Sequence, residues 1–414
     1  MKIVGDFHIH SRFSRATSKN LTIPNLDLWA RTKGITMMGT GDFTHPGWME
    51  ELRKELEEAE AGLYRRKNSG HGTRFLLTAE ISCIYAKKGA VRRIHLLLFA
   101  PSFAAAHTVN AQLGRIGNLK ADGRPILGMD AKEVVKICLE ADPDCMVVPC
   151  HAWTPWFSVF GSKSGFNSLE ECFDEYTKYI YAIETGLSSD PPLNWRLSQL
   201  DNVALISNSD SHSLEKIGRE ANIFDTELSY AGIREAIQSK NPKKFLSTVE
   251  FFPEEGKYHY DGHRLCGVRM SGAESKQHNN ICPKCEKPLT IGVLNRVEEL
   301  ADRPEGFTPE NAIPYRRLIP LQEIIADVFR MGTAAKRVRK EYERMVQQAG
   351  SEFAILVDAK EDQIRSWALP EIAEAIARVR RGDVIIEPGY DGEYGNIQIT
   401  SEHGARNRQR ILLE

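Results

Sequence analysis

The chain has 414 residues, 42% hydrophobic and 27% charged, with a formal charge of −2 and a pI near 6.7. That length exceeds one average core and suits two or three units of roughly 150 residues, while the composition excludes a disordered chain and the charge balance excludes a protein that coats nucleic acid through bulk basicity. Eight cysteines are too few for a disulfide scaffold, and no run approaches the ~20 apolar residues of a membrane helix.

The opening MKIVGDFHIH lacks the charged start and long apolar core of a secretory signal, so a cytoplasmic protein without membrane attachment is expected. From there, short apolar runs end on polar or metal-capable residues: KIVGDFHIH, ITMMGTGDFTH, FLLTAEIS, CMVVPCH, YIYAIETG and VALISNSDSH. Helical-looking stretches such as WMEELRKELEEAEAG and DAKEVVKICLEA lie between them. Strand, helix, strand, repeated six or seven times, predicts parallel strands with crossover helices; in such a barrel the carboxyl ends of the strands meet on one face. RRIHLLLFA departs from the pattern because His95 precedes its apolar run. Either that strand is antiparallel or its histidine enters from the other side.

His8 and His10 alternate along a strand and therefore face the same way. Asp42 and His45 follow the second strand, Glu80 the third, His151 the fifth, and Asp210 with His212 the seventh. For any one of these an ordinary core or surface role is the simpler account. Five of the 12 histidines at strand ends, together with three carboxylates, reverse that judgement. Imidazole nitrogen and carboxylate oxygen suit zinc, manganese or iron, with magnesium also open, and a shared carboxylate builds a multinuclear site. Two or three divalent ions are expected.

The HAWTPWFSVFG stretch places Trp153, Trp156 and Phe157 directly after His151, on a loop expected to overhang the metals. They read as a stacking platform for flat rings or as a lid on the barrel rim. Arg12, Arg15 and Lys19 in SRFSRATSK are suited to holding a phosphate backbone near the same mouth.

After KKFLSTVEFF the pattern fades into a segment rich in Gly, His and Cys with a loop-like centre, MSGAESKQHNN. DGHRLCG and CPKC supply His263, Cys266, Cys282 and Cys285, a set for one structural zinc, with His259 or His278 able to replace His263. Such a module, lacking its own core, depends on the metal to fold. Lys284 and Lys287 flank it. Beyond, PLQEIIADVF, AAKRVRKEYERMVQQAG and PEIAEAIARVRRG carry helical spacing, the last two closing on glycine. The basic runs Lys336–Lys340 and Arg378–Arg381 read most simply as solvated helix faces, and Tyr390 and Tyr394 as turn residues. The expected division is 1–250 for the catalytic barrel, 251–300 for the zinc-binding module and 301–414 for a mostly helical domain.

DFHIHS, GTGDFTH, TAEIS, PCHAW and NSDSH resemble, in order, the motifs of the PHP (polymerase and histidinol phosphatase) superfamily. The resemblance implies an α/β fold, a distorted seven-stranded (β/α) barrel, that holds up to three metals for phosphoester hydrolysis. By motif it makes His8, His10, Glu80 and Asp210 one ligand group. His95 and His151 resemble ligands of a second ion bridged by Glu80, and Asp42 or His45 with His212 a third group. Many members place another histidine shortly after the first pair, where this chain reads SRFSRATSK.

The order of barrel, finger and helical tail, with ALPEIAEAIARVRRGDVIIEPGYDGEYG in that tail, resembles the endonuclease Q family along essentially the whole chain. That implies DNA cleaved by metal-activated water on the 5′ side of hypoxanthine, uracil, xanthine and abasic sites, with Asp210, His8, His10 and Glu80 as the catalytic set. The expected pocket for an extruded base combines the HAWTPWF loop with Asn208 and Ser209. A small-molecule phosphomonoesterase on the same barrel and a non-catalytic DNA-binding scaffold are the alternatives, and a sliding clamp is left open as a further partner.

Overall fold

Short strands form where apolar runs are buried on both faces, as a sheet covered by helices requires. The computed structural model describes residues 1–70 and 72–399. It begins with β1 (Lys2–Asp6), α1 (Ile23–Lys33), β2 (Met37–Gly39), α2 (Pro46–Glu55), the hairpin β3 (Leu56–Glu60) and β4 (Leu63–Arg66), and the long pair β5 (Arg74–Lys87) and β6 (Ala90–Ala100). Next come α3 (Phe103–Leu113), β7 (Ile126–Leu127), α4 (Ala131–Ala141), β8 (Met146–Pro149), α5 (Leu169–Phe173), β9 (Ala182–Glu184), α6 (Pro191–Asn194) and β10 (Ala204–Ile206). β11 (Ala221–Asp225), α7 (Tyr230–Ser239) and β12 (Phe245–Glu250) complete this part.

β1 pairs in parallel with β2, and β2 with β5. β6 runs antiparallel to both β5 and β8. That reversal places His95 opposite Ser82, two residues beyond Glu80 on β5, and beside Leu96, the partner of Pro149 where β8 finishes. β9 and β10 pair in parallel as a separate two-stranded sheet. Ala152 N donates to Glu184 O, and the bridge between Ile9 and Ser211 ties the exit of β10 to that of β1. β11 and β12 extend the other edge of β1 in antiparallel fashion, giving an 11-stranded mixed sheet.

WMEELRKELEEAEAG departs from its expected helix. The helix stops at Glu55, because Leu56 is buried against the sheet and Glu57 and Glu60 find Arg65 and Arg74 at 2.8 and 2.6 Å. Tertiary pairing here overrides helical propensity.

The remaining elements are the hairpin β13 (Asp261–His263) and β14 (Val268–Met270), α8 (Gly272–Gln277), α9 (Val293–Leu300), β15 (Tyr315–Arg317), α10 (Leu321–Phe329), α11 (Lys336–Ala349), α12 (Glu361–Trp367), α13 (Pro370–Arg381), and the hairpin β16 (Ile385–Glu387) and β17 (Asn396–Gln398). α8 falls inside MSGAESKQHNN, where a loop is expected; Ser271 and Glu274 form a capping box that starts it. β15 pairs in parallel with β12, so the chain returns to the large sheet after residue 300. One continuous apolar core runs from Val4, Ile9 and Met38 to Ile324, Met345 and Ile376. Among the described residues no helix is long and apolar enough to cross a membrane.

Candidate metal centre

The exits of the strands bring the expected donors together. Ligand atoms of His8, His10, Glu80 and Asp210 all lie within 4.8 Å of one another, as do those of Glu80, His95 and His151, so Glu80 belongs to both groups. His10 Nε2 is 3.0 Å from Asp210 Oδ1 and 3.2 Å from Glu80 Oε2. On the other side, His95 Nδ1 is 2.6 Å and His151 Nε2 3.4 Å from Glu80 Oε1. Asp42, His151 and Asp210 hold φ values of +48°, +29° and +46°. Such left-handed backbone at non-glycine residues is uncommon and gathers at functional sites. Gly186, with φ +63°, allows the approach to His151, because a Cβ there would lie 2.6 Å from the histidine Cβ.

Two histidines are aimed from behind. His8 Nδ1 is 3.0 Å from both oxygens of Glu184, and His10 Nδ1 is 3.2 Å from Asp42 Oδ1. Each Nε2 is thereby turned into the cluster. His8 Nε2 is buried and has no hydrogen-bond partner, with Glu80 and Asp210 oxygens 3.5 and 3.6 Å away. An orphaned, buried imidazole nitrogen facing two carboxylates fits a divalent ion, which would occupy the lone pairs that protein groups leave open.

The electrostatics point the same way. Burial lowers the proton affinity of His8 and His10, yet the carboxylates around them, Glu184, Asp210 and Glu80 for His8 and Asp210, Asp42 and Glu80 for His10, raise it well above the ordinary histidine value. Burial would raise the carboxyls of Glu80 and Asp210, but the neighbouring cations and imidazoles hold both below their ordinary range. The pocket attracts positive charge, and a metal competes for it with protons. His95 is pushed down to about 4 by burial, although Glu80 opposes, so it is neutral at pH 7 and ready to act as a ligand.

Asp42, His45 and His212 do not meet at one point; among the described residues they form no third donor group. Asp42 spends one oxygen on His10 and the other on Ser11 N, Ser11 Oγ and Ser14 Oγ. His45 precedes α2, stacks on Phe13 at 4.4 Å and meets Lys120 O at 3.3 Å. His212 packs at a tilt against His10, ring centroids 4.5 Å apart, its Nδ1 2.9 Å from Asp210 O.

Two expected base-contacting residues are corrected by burial. Trp153 is 1% exposed, packs on Phe160 and donates Nε1–H to Asn194 Oδ1 at 2.8 Å, so its ring belongs to the core. Asn208 is also 1% exposed; it accepts from Phe7 N and donates to Glu184 Oε1 at 3.0 Å, and thus supports the carboxylate that holds His8. Ser209 is buried as well, its N–H held by Asp6. Trp156 and Phe157 stay half-exposed, Phe157 packing 4.7 Å from the His95 ring. Arg12, Arg15 and Lys19 are exposed, Arg12 paired with Glu51 and Arg15 with Asp122.

Sequence reasoning missed three supporting residues. Glu184 ends an apolar run, as Glu80 does, and the same cue marked it. Asp6 is buried behind the pair of histidines and accepts from Ser209 N and Gly218 N, which fixes the turn bearing Asp210. Arg124 places Nη1 3.0 Å from Glu80 Oε2; it lies in a loop without periodicity, and nothing in the sequence marks it.

At the second site, Cys285 Sγ is 3.3 Å from His263 Nδ1, and the ligand atoms of His263, Cys266, Cys282 and Cys285 lie within 4.8 Å of one another. His259 is buried beside Tyr260 instead, and neither it nor His278 belongs to the group. Three thiols and one imidazole around a core of only Val268, Cys282 and Leu289 fit a closed structural zinc site.

The model of the MJ0043 C-terminal domain matches residues 320–383. The chain is 30% identical over 415 residues to the uncharacterized protein YqxK of Bacillus subtilis, covering 96% of this chain and 99% of that one. It is 32% identical over 274 residues to the uncharacterized protein MJ0043 of Methanocaldococcus jannaschii, 64% of this chain and 33% of the other, so it spans about a third of that relative's length. A mixed α/β sheet whose strand exits assemble two donor clusters around one shared carboxylate defines a metal-dependent hydrolase site. Among solved structures, the lesion-specific endonuclease PfuEndoQ from Pyrococcus furiosus matches with a TM-score of 0.86 at 32% identity, over 97% of this chain and 96% of the other. Endonuclease Q in complex with a 27-mer duplex substrate with an abasic lesion at the active site matches equally, with 98% of that chain covered. This chain belongs to the endonuclease Q family and is a metal-dependent phosphodiester hydrolase.

Proposed function

We propose that this enzyme is a cytoplasmic DNA repair endonuclease that cuts the phosphodiester on the 5′ side of deaminated bases (hypoxanthine, uracil and xanthine) and of abasic sites. The observation that carries this reading is the pair of donor clusters sharing Glu80, in a chain that follows a lesion-specific endonuclease along 97% of its length. The strands β1, β2, β5, β6, β8, β9 and β10 are taken as the seven staves of a distorted barrel around that site.

Two divalent ions bound there would supply Lewis acidity for the scissile phosphate and lower the pKa of a water towards ~7. The chain's own groups do the positioning. His8, His10, Glu80 and Asp210 would hold one ion and Glu80, His95 and His151 the other, while Glu184 and Asp42 fix the orientation of the first two imidazoles. Arg124, tethered to Glu80, offers a fixed cation to a phosphate oxygen. Arg12, Arg15 and Lys19 hold the backbone at the mouth. Phe157 and Trp156, in place of Trp153, receive the extruded base, whose extrusion costs less at a mispair than within an intact pair.

The test is a 5′-labelled duplex carrying one hypoxanthine, uracil or abasic site, incubated with manganese or magnesium beside an undamaged duplex and an Asp210→Ala variant. A single product ending 5′ of the lesion, absent from both controls, is expected. Equal cutting of damaged and undamaged DNA, or hydrolysis of a chromogenic phosphomonoester with none of DNA, would refute the reading.

A further inference from the structure

An isolated exposed leucine needs no explanation. Leu265, however, is 84% exposed and Tyr394 69% exposed, above every other large apolar side chain among the described residues, and they stand on two loops that are locked together. Leu265 sits in the turn between β13 and β14, one residue before the zinc-site Cys266 and two after His263. Tyr394 sits in the turn between β16 and β17. Asp391 Oδ2 accepts from Arg264 N at 2.6 Å, Lys257 O accepts from Gly392 N at 2.9 Å, and Pro388 O accepts from Arg269 Nη1 at 3.0 Å. Tyr260 and Tyr390 form a further backbone bridge. The β16–β17 hairpin is thus joined to the zinc-site hairpin at Arg264 and Arg269 and to the segment leading into it at Lys257 and Tyr260, and this bracing holds the exposed side chains out instead of letting them fold back.

The surroundings name the partner. Arg264, Arg269, Lys284 and Lys287 are exposed on the same module, against Glu274, Glu286 and the neighbouring Glu393, and the Lys257 ammonium lies 4.5 Å from the Tyr394 ring centroid. Apolar points inside a basic rim suit a base stack flanked by phosphates. The module also abuts the catalytic mouth: Tyr258 meets Trp156 edge-on at 5.7 Å, and the next residue, Phe157, packs on His95.

We propose that Leu265 and Tyr394 form a rigid wedge that enters the base stack of the substrate duplex beside the lesion, parting the flanking bases while the damaged nucleotide turns into the metal centre. The inference rests on the reading of the chain as a duplex-cutting endonuclease. On this account the zinc module is a mechanical part of the reaction, and its metal sets the stiffness of the wedge. The work it performs is needed only where the lesion starts inside a stacked duplex.

Single-turnover cleavage by the full-length, metal-loaded enzyme separates the two ideas. The same uracil is presented in a duplex, in a bubble of mismatches and in a single strand, to the wild type and to Leu265→Ala/Tyr394→Ala. The double variant is expected to lose about ten-fold or more on the duplex, the scale of removing one base-stacking contact, and to keep wild-type rates on the bubble and the single strand. Leu265→Met and Tyr394→Phe retain duplex cutting, since bulk and ring do the work. In an Asp210→Ala background, fluorescence from a 2-aminopurine next to the lesion rises on binding and fails to rise when the wedge is removed. Wild-type duplex rates in the double variant, or an equal loss on all three substrates, would overturn the wedge while leaving the endonuclease reading intact. A wild type that cuts none of the three would overturn both.

Discussion

Glu184 never reaches solvent, yet it touches His8, His151 N and Asn208 at once. Its charge sets the tautomer of His8, leaving Nε2 as the lone-pair donor. Glu184→Gln keeps the volume and removes that charge, and is expected to weaken metal binding at the barrel by about 10–100-fold. Competition with a chromogenic chelator reads this, with the zinc of the Cys266–Cys285 site unchanged as internal reference. Arg124→Ala tests the opposite arrangement, a cation beside the shared carboxylate. Metal stoichiometry is retained and single-turnover cleavage falls by about 10²-fold, the scale of losing one preorganised donor to a developing charge; unchanged cleavage would reduce Arg124 to a counter-ion of Glu80. Glu80 and four of the five donors around it, His8, His10, His151 and Asp210, were legible because each breaks or ends an apolar run at a strand end, and His95 was legible from the motif in spite of preceding its run. Trp153 and Asn208 were misjudged for a related reason: in a tight turn, adjacent side chains point into the core and out of it, and residue type alone does not say which.

Between elements, the two metal-dependent parts differ in what supports them. The large mixed sheet and its helices rest on a continuous core, whereas the finger encloses three buried apolar residues, one of them Cys282 of the donor group. Chelation, or Cys282→Ser, is therefore expected to expose the amides of residues 261–291 to exchange while β1, β5 and β6 remain protected, as hydrogen–deuterium exchange would report. The tail is tied to the barrel by a buried ion pair. Lys33 of α1, 2% exposed, places Nζ 2.7 Å from Glu352 Oε2, and Glu352 also accepts from Tyr342 Oη and Leu321 N. Glu352→Ala strands a buried ammonium and removes two acceptors, so urea unfolding should show a loss of about 3–5 kcal/mol; a loss below 1 kcal/mol would mean that Lys33 finds water. The tail helices were legible from spacing and from their closing glycines, Gly350 and Gly382. The β3–β4 hairpin was not, since its ion pairs, Glu57 with Arg65 across the hairpin and Glu60 with Arg74 of β5, form only once the strands are aligned.

Across the whole molecule, the expected boundaries at 250 and 300 mark changes of composition more than breaks in packing. β15 joins β12 in one sheet, and helices from α10 onward share one core with the large sheet. That continuity buries charge behind the barrel. Glu220 and Glu250 face each other across the β11–β12 ladder, next to the paired residues Ala221 and Val249, and Glu220 Oε2 and Glu250 Oε1 have no partner. Burial, with Glu250 beside it, raises the Glu220 carboxyl well above its ordinary value. Burial pushes Glu250 up to about 7 from 4.5, despite the hydrogen bond that its Oε2 accepts from Thr185. A carboxyl whose folded pKa is raised binds its proton more tightly in the native state, so its contribution is full below pH 4.5 and is lost as pH rises through about 7. Other groups titrate in the opposite sense: burial holds His95 and His259 near 4, so their contribution grows with pH up to about 6.5. The wild-type curve alone therefore mixes both signs, and the informative quantity is its difference from Glu250→Gln, which cannot ionise. Between pH 4.5 and 7.5 the wild type should lose on the order of 3 kcal/mol relative to that variant, from the rise of its carboxyl from 4.5 to about 7. Urea unfolding of the zinc-loaded protein at each pH measures it. A difference that stays flat would mean that Glu250 is ionised in the folded state and that its orphaned oxygen is solvated, and a difference that grows with pH would reverse the sign assigned to the pair.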